Sequence, residues 1–144
     1  VGPCGAELER QVHELGLGDA VILVGFVEDI PEVYAALDGF VFPSLAEPLG
    51  TSLLAAMAWG LPVVAVARGG VLEIVEDGRT GLLVDAPDAA LLAESIVRLL
   101  SDAGLAKRLG QAARESIEQR FSAERMAVNT LRVYEKICAN GGTR

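Results

Sequence analysis

Four short runs of β-branched and other apolar residues, bounded by turn residues and separated by stretches of helical period, constrain this chain more than any other feature. Val21-Ile-Leu-Val24 ends at Gly25, and Phe40-Val-Phe42 ends at Pro43. Pro62-Val-Val-Ala-Val66 follows Gly60 and leads into Gly69-Gly70, while Gly81-Leu-Leu-Val84 follows the turn Glu76-Asp-Gly-Arg-Thr80. Each run is nearly all apolar instead of alternating, as expected of strands whose two faces are both covered by helices. Between them, Ala6–Leu15 repeats Leu8, Val12 and Leu15 at helical spacing. Ile30–Leu37 follows the acids Glu28-Asp29, and Pro31 is tolerated in a first turn. Thr51–Trp59 is a short, nearly all-apolar helix closed by Gly60, so it should be buried, with Trp59 in the core. Strand and helix alternate in this way when a parallel α/β sheet is being built.

After Val84 the pattern becomes wholly helical. Asp88–Leu100 places Leu91, Leu92, Ile96, Leu99 and Leu100 on one side, and Leu105–Arg120 and Ala123–Ile137 follow, with Ser122 as a cap for the last. The residues from Asn140 to Arg144 read as a frayed tail. The expected architecture is a Rossmann-like parallel sheet of at least four strands, with helices on both faces and C-terminal helices. No repeat or linker interrupts it, and 144 residues suffice for a single domain with a real core.

Composition narrows the partners. The formal net charge of −8 argues against a nucleic-acid backbone or an anionic membrane. The longest apolar run, Leu53–Ala67, is broken by Gly60 and Pro62 and is too short to span a bilayer. No basic region followed by an apolar stretch marks a signal peptide, so a cytoplasmic location is expected. Cys4 and Cys138 lack metal-ligand spacing, and His13, the single histidine, lies on a polar helix face. Reduced thiols and no metal site are expected, with a disulfide tying the two ends as the alternative.

The segment from Phe42 to Ala65 carries the chemistry. A strand ends at Pro43, a polar loop bears Ser44 and Glu47, and a helix opens around Gly50. Such an opening aims the free backbone amides of Gly50, Thr51 and Ser52 out of the carboxyl edge of the sheet, where open α/β folds bind ligands and helix N-termini bind anions. A diphosphate suits these amides. Glu47 beside them is an acceptor for sugar hydroxyls, or else a solvated loop acid stabilised by the helix dipole.

The same segment resembles the signature of the retaining glycosyltransferases of GT-B fold (glycosyl transferases group 1, or family 4). Ser44, Glu47, Gly50, Ala56, Met57, Ala58, Gly60, Pro62, Val63 and Val64 match the pattern. So do Gly2-Pro3 with Leu8, Leu15-Gly-Leu17, Gly25-Phe-Val27, Pro31, Tyr34 and Asp38 upstream. Downstream, Gly69-Gly70, Glu73-Ile-Val75, Asp77-Gly78, Thr80-Gly-Leu82 and Val84 match in order, so that the likeness runs from about residue 2 to Tyr134. The resemblance implies half of a GT-B fold: residues 1–144 as a single donor-binding domain, lacking the first strands and the N-terminal acceptor domain. It implies a nucleotide-diphospho-sugar partner (a UDP-, GDP- or ADP-sugar) and no cofactor or metal. By this likeness Glu47, Pro48, Leu49, Gly50 and Thr51 hold the donor sugar and diphosphate. Gly25, Phe26, Val27, Ser44 and Ala55 lie at the nucleotide, and Ser44 with the Gly69-Gly70 turn shapes the pocket wall. For Gly25, Gly69 and Gly70 a plain turn role stands equally open.

Two departures from the pattern bear on activity. The family has a second glutamate eight positions after the first, for the ribose hydroxyls; here that position is Ala55. Losing a hydrogen bond to a charged group costs about 1.5–3 kcal/mol. The family also carries an Arg and a Lys, upstream of the residues seen here, that pair with the donor diphosphate. The departing diphosphate must be stabilised and helps deprotonate the acceptor on the same face, and without the basic pair a helix N-terminus is a weak substitute. No complete catalytic set is therefore expected in this chain, and Arg68, the one basic residue near the rim, is either a partial substitute or a solvated strand-end residue. The rival reading is a non-catalytic module, truncated, engineered or degenerate, serving as a scaffold. An epimerase built on the same fold ranks behind both. A sheet without its first strands exposes an edge, so a homo-oligomer is expected if this chain is the whole protein.

Overall fold

Parallel pairing of three short strands organises the computed structural model, which describes residues 4–85 and 87–140. Gly2, Pro3 and the tail residues 141–144 lie outside the described residues. Tertiary contacts divide the chain into two units, one up to Val33 and one from Tyr34 onward.

In the first unit, helix α1 (Gly5–Glu14) is followed by a turn at Gly16, with φ +66°, and then by a segment that is neither helix nor strand. Val21–Val24, expected as a strand, makes no strand, and Ile22 is 82% exposed. Propensity alone does not make a strand: the backbone groups need a neighbouring ladder, and none of the described residues supplies one here. The helix α2 (Ile30–Ala35) spans the boundary between the units.

The second unit holds β1 (Phe40–Phe42), α3 (Thr51–Ala58), β2 (Val63–Val66), α4 (Val71–Ile74), β3 (Leu82–Val84), α5 (Ala89–Ser101), α6 (Ala103–Arg120) and α7 (Ala123–Asn140). The sheet order is β1-β2-β3, all parallel, with Phe40 opposite Val63 and Val64 opposite Leu82. It has three strands where at least four were expected. The fold class is otherwise as expected: an α/β parallel sheet with helices.

Strand β2 is central and buried on both faces, which explains its unbroken apolar run. Val63 and Ala65 join Leu53, Ala56 and Met57 of α3 and Ala113 and Ile117 of α6 in one core cluster. Val64 faces the other way, onto Leu82, Val84, Leu99 of α5 and Leu105 and Leu109 of α6. Period-two alternation thus sends one strand into two cores, with α3 and α5 on opposite sides of the sheet. Helix α6 contributes to both.

The close packing of α3 on α6 depends on two glycines. Gly60 ends α3 at φ +76°, with Gly60 N–H donating to Met57 O and Leu61 N–H to Ala56 O. These two bonds are the Schellman arrangement that a left-handed glycine permits. Gly110 of α6 lies directly against the Gly60 carbonyl, where any Cβ would collide with backbone. The turn that Gly60 makes leaves Trp59 48% exposed, so its expected place in the core is a correction. It is the residue after the last helical turn, and its backbone, not its ring, completes the α3 terminus.

Caps fix the later helices. The Asp88 carboxylate accepts from the amides of Ala90 and Leu91, that of Asp102 from Leu105, and the Ser122 hydroxyl from Arg125. Helix α7 keeps Met126, Leu131, Tyr134 and Ile137 exposed. Among the described residues no helix is long and apolar enough to cross a membrane.

Candidate donor site at the carboxyl edge of the sheet

The loop from Pro43 to Gly50 leaves the carboxyl end of β1 and enters α3. Phe42, buried at the strand end, anchors its start, and Gly50, also buried, anchors its finish. Gly50 has φ +73°, a conformation that L side chains resist, so glycine is required here by backbone geometry. The space beside it is ordinary: an added Cβ would meet nothing closer than Glu47 Cγ at 3.5 Å.

Glu47 turns its carboxylate back onto this helix start. Its Oε1 accepts from Gly50 N–H at 2.9 Å and lies 3.4 Å from Leu49 N. A negative charge at a helix N-terminus is stabilised by the aligned peptide dipoles. The Gly50 amide, expected to be free for a phosphate, is thus already bonded to Glu47. Thr51 and Ser52, in the first turn, have no acceptor for their amides among the described residues. Oε2 of Glu47 is the carboxylate oxygen left over.

Two further elements grip this loop. The hydroxyl of Tyr34, a buried side chain, donates to the Ser52 carbonyl at 3.1 Å. Behind the loop, the turn between β2 and α4 donates Gly70 N–H to the Glu47 carbonyl at 2.9 Å. Arg68 at this turn is exposed and folds its guanidinium onto the Ala67 carbonyl at 2.8 Å.

Glu47, Pro48, Leu49, Gly50 and Thr51 therefore form one continuous rim, with Pro48, Leu49 and Thr51 exposed and Glu47 half-buried. Ser44 is half-buried earlier in the same loop. Ala55 is half-buried one turn into α3 and packs against the core cluster. Gly25, Phe26 and Val27 belong to the other unit. Gly25 has φ +66° with open space around it, and Phe26 is 86% exposed.

A second feature of this edge went unread in the sequence. A recess of about 260 Å³ opens at the ends of β1 and β2, lined by Pro43, Leu45, Val66, Pro87 and Leu92 among others. Its residues are scattered along the chain and apolar, so no local pattern marks them. The one carboxylate there, Asp88, is engaged in capping α5.

Known proteins resemble this chain in sequence and in fold. The sequence profile described as "Glycosyl transferases group 1" matches residues 1–116. The chain belongs to that family. It is 39% identical to the D-inositol 3-phosphate glycosyltransferase of Salinispora arenicola, over 97% of this chain and 33% of that protein. The structure of sucrose-phosphate synthase from Thermosynechococcus elongatus superposes with a TM-score of 0.85 at 38% identity, covering 94% of this chain and 34% of that one. HepE of Anabaena, solved with UDP-glucose, gives a TM-score of 0.80 at 32% identity, over 93% of this chain and 36% of that one. The chain thus spans about a third of the length of these group 1 relatives. Among the described residues no cluster of histidine, cysteine, aspartate and glutamate could hold a metal ion. Cys4 and Cys138 are free and exposed.

Away from the rim, Glu76 forms a paired salt bridge with Arg79, at 2.5 and 2.6 Å, and a longer one with Arg120 at 3.3 Å. The Arg79 hydrogen bond holds the Glu76 carboxyl below its ordinary range, against a weaker opposing effect of desolvation. A carboxyl whose folded value is lowered stabilises the fold above its unfolded value and loses that contribution as pH falls through the folded one. The pair is solvent-exposed, so the effect is small and screened by salt. Thermal melts should show the wild type losing its margin over Glu76→Gln on acidification below the ordinary carboxylate range. Parallel curves for the two proteins would show that the pair contributes nothing.

Proposed function

We propose that this chain binds a nucleotide-diphospho-sugar at the Glu47–Thr51 rim, as the donor half of a retaining glycosyltransferase. One observation carries the reading: a carboxylate and the unpaired first-turn amides of α3 meet in a single loop at the carboxyl edge of the sheet. The Thr51 and Ser52 amides offer donors to a diphosphate, and the remaining oxygen of Glu47 offers an acceptor to a sugar hydroxyl. A relative that covers nearly the whole chain was solved with UDP-glucose, which supports a nucleotide-sugar ligand.

Binding and transfer are separate tasks. Arg68, the cation at the β2–α4 turn, folds its guanidinium onto the Ala67 carbonyl. The 144 residues by themselves therefore bind a donor without a cationic clamp for the leaving diphosphate, and sugar transfer is not expected of them. The position of Ala55 favours a second reading, a scaffold derived from the fold, because a methyl group packed on the core gives the ribose no acceptor.

Calorimetric titration with UDP-, GDP- and ADP-sugars separates the two. Micromolar binding of one donor is expected, and silence across the panel would leave the scaffold reading standing. Ala55→Glu should then tighten the binding about tenfold or more, the scale of one hydrogen bond to a charged acceptor. An unchanged constant would remove Ala55 from the ribose site.

A further inference from the structure

Gly70 has φ −62° and ψ −16°, values that any residue adopts, so its backbone conformation does not call for glycine. What calls for it is space. A Cβ on Gly70 would run into the Pro48 carbonyl, and would lie 3.2 Å from Leu49 Cα. One residue earlier, Gly69 has φ +53°, and a Cβ there would come within 2.5 Å of the Glu47 carbonyl oxygen. The same carbonyl accepts the Gly70 amide at 2.9 Å. Two successive residues of the β2–α4 turn are thus pressed, backbone on backbone, against the two residues that begin the rim.

We infer that Gly69 and Gly70 are positioning residues for the Glu47 carboxylate. The turn sets how far the Glu47–Leu49 backbone sits from the sheet, and hence whether Glu47 Oε1 reaches Gly50 N–H at 2.9 Å. Backbone atoms cannot swing aside as a side-chain tip can. A methyl group at position 70 therefore drives Pro48 outward, draws the carboxylate off Gly50 and spoils the rim, while both core clusters keep every residue. The consequence for ligand rests on the donor reading above; the geometric part does not.

The test follows the Gly50 amide by ¹⁵N-resolved NMR. In the wild type its exchange with solvent should be slowed by the bond to Glu47 Oε1, and Glu47→Ala should remove that protection. Gly70→Ala should remove it too, speeding Gly50 amide exchange roughly tenfold, as for one lost hydrogen bond. Gly110→Ala is the control: its Cβ meets the Gly60 carbonyl far along the chain, so it should lower Tm while the Gly50 amide keeps its protection relative to the core amides. Should Gly70→Ala fail to fold, Gly69→Asn replaces it, because asparagine tolerates positive φ and the clash with the Glu47 carbonyl remains. Gly50 protection unchanged in the folded variant overturns the inference. The donor panel is then run on the same proteins. If the wild type binds a donor, Gly70→Ala should weaken it at least tenfold and Gly110→Ala should not, and equal loss in both would reduce Gly70 to a structural residue. If the wild type binds none, the donor reading fails while the NMR result still decides the positioning role.

Discussion

Glu47→Ala is expected to weaken donor binding thirty- to a hundredfold or so, the equivalent of about 2–3 kcal/mol for a charge-assisted hydrogen bond and the order of its surroundings. On the donor-site reading the carboxylate does two things: Oε1 holds Gly50 N–H at 2.9 Å, and Oε2 is the oxygen left for a sugar hydroxyl. Alanine removes both. Glu47→Gln separates them, since its amide oxygen still accepts from Gly50 while the charge is gone. It should cost about 1 kcal/mol, or five- to tenfold, the difference between a charged and a neutral acceptor. The check is titration of the wild type and both variants with the donor that binds. Equal affinities for all three would take Glu47 out of the site.

Leu53→Ala should be the largest stability loss, about 2–5 kcal/mol, because the side chain is fully buried and the surroundings only partly collapse into the cavity. Leu53 connects the α3 core to the helix start at Gly50. It is fully buried in α3, and its Cβ lies 3.6 Å from where a Cβ on Gly50 would sit. A loss on that scale is a large share of the stability of a domain of ordinary size. Denaturant unfolding monitored by circular dichroism measures it, and a midpoint shift worth less than about 1 kcal/mol would mean that the α3 core is looser than the packing indicates.

The repeating units of the fold were legible because they rest on local chemistry. All-apolar runs marked β1, β2 and β3, glycine after Trp59 marked the end of α3, and Asp88 and Ser122 marked helix starts. Val21–Val24 has the same composition as the true strands and yet forms none, since pairing is a property of two segments and the sequence displays only one. The short helix α4 was missed for the complementary reason. Its four residues carry no period, and its place is set by the turn in front of it.

For the candidate site, the motif pointed to a loop, an acid and a helix start, and these lie where strand and helix boundaries put them. The occupant of the Gly50 amide was not legible, because a glutamate three residues away reaches it only when the chain folds back at Pro48 and Leu49. Nor was the demand for glycine at position 70, where the backbone angles are commonplace.

What the amino-acid order determined by itself was the family of solutions: parallel strands buried on both faces, helices between them, and an acid beside a helix start. Periodicity, turn chemistry and capping act over a few residues, so they are written along the chain. Tertiary structure alone decided which apolar run acquired a partner, which amide Glu47 took, and that the turn at Gly69 and Gly70 would press on a loop twenty-two residues earlier in the sequence. Those outcomes depend on distances between segments that meet only after the sheet has formed, and backbone packing at that range is set by the whole core.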